Sequence, residues 1–293
     1  MPKKMPIYLK LVLTMMLWGG TFVAGRIAVQ SVSPFTAAWG RFLIASACLL
    51  VMVWRVEGRL PRLTRRQGGL AVLMGLTGIL SYNAFFFAGL QFVPAGRAAL
   101  IIALNPIAIA LGSALFLREP LTSQKILGII ISLCGAAWVI TQGQPLQILS
   151  GGVGLGELLI LGCVLSWMAY TLTGKAAMGQ MSPLVSTAYG CFAGTVFLAV
   201  PALIGGGWGE LLGVRPSALA SMAYLGGLGS AVGFCWYYDG VRTLGPARAG
   251  VFINLVPVSA IILGALILQE PMTPSLLLGG MLVIIGVLTT NRG

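Results

Sequence analysis

Two prolines, two asparagines and a group of aromatic rings are the residues of this chain whose positions suggest chemistry. Pro106 and Pro257 each lie nine residues into an apolar run. At 1.5 Å per residue that is about 13 Å deep, near the middle of a hydrocarbon layer about 30 Å thick. A proline there removes one helical hydrogen bond and pushes the preceding turn apart. The freed carbonyls can then bind a neighbouring helix, a water or a solute. Asn105 and Asn254 stand beside these positions and bring amide donors and acceptors, useful either to a solute or to interhelical hydrogen bonds. This chemistry holds a molecule rather than breaking a bond. The sequence contains no histidine, which removes zinc–histidine sites, histidine general bases and the usual serine or cysteine catalytic pairs. No enzyme activity, metal or cofactor is expected.

The rings follow helical spacing. Gly75, Gly78, Tyr82 and Phe86 are 3, 4 and 4 residues apart and predict one helix face. Adding 151 gives Gly226, Gly229, Gly233 and Tyr237, again one face. Glycines there either let helices approach closely or open space for a ligand, which Tyr82, Phe86 and Tyr237 would line, with Asn83 beside them. Trp18 and Trp167 are related by a shift of 149. Both are too deep for the headgroup level where membrane tryptophans gather, so they are either packing residues or walls of a central cavity. Tyr170 shares the face of Trp167. Trp39, Trp54, Trp138 and Trp208 suit the headgroup belt instead.

The elements that must position these groups are membrane helices. Hydrophobic residues make up 58% of the chain and charged residues 8%, against about 25% charged in soluble domains. Ten continuous apolar runs, at roughly 8–29, 35–54, 69–89, 97–117, 124–141, 155–175, 184–204, 218–238, 248–268 and 275–290, predict ten transmembrane helices. The first run is too long for the core of a signal peptide. The five cysteines all fall within the runs, with no CxxC, and read as packing residues.

The chain also repeats itself. The stretch RAALIIALNPIAIALGSALFLREPLT from Arg97 returns as RAGVFINLVPVSAIILGALILQEPMT from Arg248, with Arg118 replaced by Gln269 and Lys125 by Leu276. Loss of basic residues is expected when a segment faces the other side of the bilayer. The expected architecture is all-α and integral to the membrane, with two inverted five-helix repeats over residues 1–146 and 147–293. With the N-terminus in the cytoplasm, 14 of the 18 basic residues fall on the cytoplasmic side and both termini face it. The outer side holds Arg26, Arg41, Arg97 and Arg215. This distribution by topology differs from the single patch of a nucleic-acid binder, so no nucleic-acid partner is expected. No carboxylate falls at mid-depth, and Asp239 is expected to pair with Arg242 or Arg248. The cavity is therefore expected to be neutral and to take neutral or zwitterionic small molecules. Arg97 and Arg248, at equivalent run starts on opposite faces, either gate the two mouths or snorkel to the surface.

Ten spans in two inverted halves, FLREPLT and ILQEPMT followed by glycines seven apart, the Trp18-Gly19 pair and the prolines of runs 4 and 9 resemble the EamA family of the drug/metabolite transporter superfamily. Within it the chain is most similar to bacterial YddG-type exporters of amino acids. The resemblance implies a bacterial inner (plasma) membrane location, a central cavity and export by alternating access. It places Trp18, Tyr82, Trp167, Tyr237, Asn105 and Asn254 at that cavity. Exporters of cationic drugs or other metabolites and nucleotide-sugar-type exchangers are the alternatives. The sequence leaves the oligomeric state open.

Overall fold

Proline, hydroxyl and glycine residues set the helix limits. In α1 (Met5–Ala28) and α2 (Pro34–Glu57) the chain turns at Ser33, with Pro34 in the first turn of α2, and leaves α2 through Gly58 at φ 70°. That left-handed conformation suits glycine. A reciprocal capping box between Thr64 and Gln67 starts α3 (Arg65–Gly89). There follow α4 (Asn105–Leu117), α5 (Ser123–Ile140), α6 (Leu155–Ala177), α7 (Pro183–Ile204), the short α8 (Gly207–Leu212) and α9 (Pro216–Leu244). The chain ends in α10 (Pro246–Gly250), α11 (Leu255–Leu268) and α12 (Pro274–Arg292). This computed structural model describes residues 5–89, 92, 101–141, 143–144, 154–268 and 274–292, and among them every regular element is helical.

Among the described residues six helices are long and apolar enough to cross a membrane, and shorter apolar helices lie at Asn105–Leu117, Ser123–Val139 and Leu277–Arg292. The fourth and ninth runs are not single helices. In the fourth, a turn at residues 103–104 precedes α4, whose first turn holds Pro106. In the ninth, a 3-10 turn at Val251–Asn254 separates α10 from α11, and Pro257 lies in the first turn of α11. Both prolines thus begin a helix, where a missing N–H costs nothing, instead of kinking the middle of one. The break falls just before each proline, as its ring demands.

A second irregularity has no counterpart in the sequence reading. Within α3 the segment Gly75–Ser81 is π-helical, and within α9 the segment Tyr224–Val232 is too. A shift of 151 lays 75–81 on 226–232. The wider turn shifts its first residue off the face of those that follow, so Gly75 and Gly226 turn to α7 and α2, while Gly229 and Gly233 both face α1 through Thr21 and Trp18. Gly75 abuts Ala193 and Gly194 of α7, whereas Gly78 is filled by the ring of Tyr170. Gly226 abuts the Arg41 carbonyl on α2, and Gly233 lies against the indole of Trp18.

Packing partners come in reciprocal pairs. Helix α1 packs on α11 and α6 on α4; α2 packs on the π segment of α9 and α7 on that of α3; α2 pairs with α7, and α5 with α12. The α5–α12 contact is the most extensive and is made through Gly128, Gly135, Gly279 and Gly286. The outer surface is apolar, with Leu115, Phe116, Ile204, Leu266 and Leu277 exposed, as suits contact with lipid. Trp54 and Trp208 are exposed as a headgroup belt requires, but Trp39 is buried.

Candidate functional site

Helices α1, α2, α3, α6 and α9 and the two broken runs enclose a cavity of about 410 Å³. It reaches the end of the bundle that carries the α1–α2 turn, where Val29, Ala37, Phe86 and Phe87 line it. Deeper walls come from Trp18, Arg41, Gly78, Tyr82, Asn83, Asn105, Trp167, Phe234, Asn254 and Pro257. Both helix breaks therefore border the cavity, through Ala103 and Asn105 on one side and Ile253 and Asn254 on the other.

An aromatic cluster forms the floor. Trp18 and Trp167 meet edge to face at 5.4 Å, and Phe234 packs on both, at 5.9 and 5.8 Å. Tyr82 stacks on Phe86 at 6.1 Å and stands edge-on to Trp167 at 5.8 Å. Such offset and edge geometries are the favoured ones for rings. The Trp18 indole N–H donates to the Gly229 carbonyl at 2.8 Å, a group of the π-helical segment. The irregular backbone of α9 and the cavity floor are thus joined by one hydrogen bond.

Tyr170 and Tyr237 do not border the cavity. They are fully buried beneath it, Tyr237 at 5.4 Å from Trp18 and Tyr170 at 5.2 Å from Trp167. Below them the bundle is closed. Tyr238 donates its hydroxyl to the Tyr170 carbonyl at 2.8 Å, Thr171 and Tyr237 share a hydrogen bond of 3.3 Å, and Lys175 donates to the Val241 carbonyl at 3.3 Å. All three link α6 to α9. An ion pair of 2.6 Å joins Lys10 of α1 to Asp239 of α9. Asp239 thus pairs with neither Arg242 nor Arg248. Lys10 reaches it from the facing helix instead.

The polar groups correct a second expectation. The cavity is not neutral, because the Arg41 guanidinium lines its wall. Arg41 lies two turns inside α2, deeper than an assignment to the outer surface allowed. Its Nη2 donates to Ser230 Oγ at 3.2 Å and its guanidinium carbon lies 4.6 Å from the centre of the Phe42 ring, while Nε is buried without a partner. The spacing of Ala37, Ala38, Arg41 and Phe42, all cavity residues, was the signal available in the sequence: it is one face of a helix. Phe234 was also missed; it lies next to the glycine face that drew attention, and the π segment turns it inward.

The asparagines differ in role. Asn83 donates to the Ile79 carbonyl at 2.6 Å, and Asn254 to Ser132 Oγ of α5 at 2.9 Å. The side-chain oxygens of Asn105 and Asn254 are buried without a partner. Asn105 and Asn254 are not equivalent under the shift of 151, yet both border the cavity. Arg248 lies on α10, away from the cavity lining, and Arg97 falls outside the described residues. Among the described residues no cluster of histidine, cysteine or acidic side chains could hold a metal ion.

Comparison with known proteins agrees with this architecture. A solved crystal structure, 19% identical, superposes with a TM-score of 0.79 over 99% of this chain and 98% of its own. The uncharacterized transporter YyaM of Bacillus subtilis (strain 168) is 29% identical over 289 residues, 99% of this chain and 94% of the relative. A probable terminal-alkyne amino-acid exporter of Streptantibioticus cattleyicolor is 32% identical over 286 residues, 96% of this chain and 92% of the relative. The EamA-like transporter family matches residues 5–141 and again 154–292. With apolar helices long enough to cross a bilayer, a central cavity beside two broken helices and a family match over both parts of the chain, this protein is a membrane transporter of the EamA-like family.

Proposed function

We propose that the protein exports amino acids, aromatic or otherwise neutral in net charge, and similar small metabolites from the cytoplasm by alternating access. Ten spans would form two inverted repeats, 1–146 and 147–293, with both termini in the cytoplasm of a bacterial cell and the spans in its inner membrane. The reciprocal packing pairs and the two π segments 151 residues apart support this arrangement.

The observation that carries the substrate class is the cavity, whose floor is aromatic and whose deeper walls include asparagines and Arg41. A volume of about 410 Å³ lies in the range of small-molecule pockets. Trp18, Tyr82, Phe86 and Trp167 would hold an apolar side chain. Asn83, Asn105 and Asn254 would bind the polar end, with Tyr170 and Tyr237 supporting the floor. Pro106 and Pro257 would act as hinges, and Arg97 and Arg248 would close the mouths in turn. Similarity to a probable amino-acid exporter supports the same class. A guanidinium on the wall disfavours cationic drugs. The sealed end carries Lys10, Lys175 and Arg242, so the basic-side rule turns it to the cytoplasm and the open end outward.

The test is counterflow in proteoliposomes with a panel of amino acids. Saturable exchange of at least one member is expected, and exchange of none would end the amino-acid reading.

A further inference from the structure

We propose that Arg41 anchors a carboxylate of the transported solute, so that the cavity selects carboxylate-bearing molecules over the corresponding amines. The inference rests on the transporter reading above and adds the residue and charge that set selectivity.

Arg41 is half-buried in the wall of a cavity sunk into an apolar bundle, where a charge without a counter-ion is costlier than in bulk water. Arg41 has none among the described residues. Its one hydrogen-bond partner is the neutral hydroxyl of Ser230, which itself donates to the Leu225 carbonyl at 2.9 Å. Among the described residues the cavity lining contains no aspartate or glutamate, and the one ion pair, Lys10–Asp239, belongs to the sealed end. Nε is buried and unpartnered. A guanidinium with donors to spare fits a carboxylate, which can accept two parallel N–H bonds. Contact with the Phe42 ring holds the planar group in place without consuming those donors.

The same cavity carries the complementary acceptors. Asn105 and Asn254 border the cavity, their side-chain oxygens are closed off and lack a donor in this conformation, and among the described lining residues there is no acidic side chain to bind an ammonium group more strongly. Acceptors, a guanidinium and an aromatic floor in one chamber match the three parts of an α-amino acid: ammonium, carboxylate and apolar side chain. The guanidinium is the strongest of these groups. A solute that keeps the carboxylate and loses the amine should still bind, and one that keeps the amine and loses the carboxylate should not.

The test uses the full chain in proteoliposomes and labelled phenylalanine or leucine. Competitors are each unlabelled amino acid, 3-phenylpropionate, phenethylamine and isoamylamine. In the wild type, the amino acids and 3-phenylpropionate should compete, while the two amines should need at least about tenfold higher concentration, the worth of one charged hydrogen-bonded contact. Arg41→Gln should raise the half-saturation for amino acids by at least about tenfold and narrow the gap to the amines. Arg41→Lys should restore part of the affinity. Amines that compete as well as amino acids, or an Arg41→Gln protein with unchanged half-saturation, would overturn the assignment while leaving amino-acid transport intact. Exchange of no amino acid by the wild type would instead overturn the transport reading and this inference with it. The wild-type series does not depend on whether a variant folds.

Discussion

A methyl group placed on Gly135 would separate the two helices that the chain packs most closely. Gly135 of α5 faces α12, where an added Cβ would lie 2.6 Å from the Gly279 carbonyl oxygen and 2.7 Å from the Val283 nitrogen. These are backbone atoms of a facing helix and cannot rotate aside. Restoring an ordinary contact of 3.4 Å requires 3.4 − 2.6 = 0.8 Å of separation along a seam that Gly128, Gly279 and Gly286 also hold tight. Overpacking of this kind costs about 1–3 kcal/mol. Alanine recovers about 1 kcal/mol of helix propensity, which a control can subtract. Gly280, on the same helix as Gly279, would place its Cβ 3.5 Å from Val258 Cγ1, an ordinary contact. Gly135→Ala should therefore be less stable than Gly280→Ala by about 1–3 kcal/mol, read as thermal unfolding in detergent micelles. Neither α5 nor α12 lines the cavity, so the half-saturation for transport by the folded fraction should not change. Equal stability of the two variants would refute the claim that the α5–α12 seam excludes a side chain.

Other substitutions probe the floor and the rim. Trp18→Phe keeps a ring in the cluster but removes the donor to Gly229, so the protein should lose about 1–2 kcal/mol of stability and much of its transport rate; unchanged values would detach the π-helical segment of α9 from the site. Glu210, on α8 at the rim, has its carboxyl held below the ordinary range by the Thr36 hydroxyl and by the Ser33 N–H, which donates at 2.9 Å. A depressed folded value means that its contribution is present above the ordinary carboxylate range and is lost as pH falls through the folded value. The thermal midpoint of the wild type should thus exceed that of Glu210→Gln at neutral pH and approach it in acid. The difference should be small because the group is solvent-exposed; a gap that widens in acid would contradict the sign.

Much of the site could be read from the sequence because membrane helices impose regular depth and spacing. Trp18 and Trp167 were marked by their depth and by the shift of 149 that relates them, and they meet on the cavity floor. Pro106 and Pro257 were marked in the same way, and each run breaks just before its proline. What failed was extrapolation through irregular backbone. A spacing of 3, 4 and 4 presumes 3.6 residues per turn, and the π segments of α3 and α9 violate it. Gly75 and Gly226 therefore face α7 and α2, whereas Gly78, Tyr82 and Phe86 border the cavity as expected, and Tyr237 lies against Trp18 beneath its floor. Arg41 was misplaced for another reason. The run from 35 already put it six residues deep, but it was counted with the outer surface by its charge, and the face it shares with Ala37, Ala38 and Phe42 was not used.

The two ends of the bundle are closed by chemically different residues, and this difference should set which conformation prevails. In the proposed two-repeat arrangement, shifts of 149 and 151 map Tyr170, Tyr237 and Tyr238 of the sealed end onto Thr21, Phe86 and Phe87 of the open end. All three counterparts border the cavity, so they are placed to meet when that end closes. Phenylalanine has no hydroxyl with which to repeat the 2.8 Å bond from Tyr238 to the Tyr170 carbonyl or the 3.3 Å bond between Tyr237 and Thr171. The opposite state therefore lacks hydrogen bonds that this one has, and the equilibrium should favour the conformation described. Tyr238→Phe removes one of them and keeps the ring. A net hydrogen bond is worth about 0.5–1.5 kcal/mol, so the ratio of the two states should shift about two- to tenfold toward opening of the sealed end. The readout is alkylation in a background with the five native cysteines replaced by alanine. A cysteine placed by Ala247→Cys, at a buried position, should react faster with the Tyr238→Phe change than without it. One placed by Gly25→Cys, at a cavity position with open space for a side chain, should react more slowly. Opposite movement of the two rates is the signature of alternating access. A rise at both positions would mean simple loosening, and no movement at either would mean that the tyrosine hydroxyls do not hold the sealed end shut.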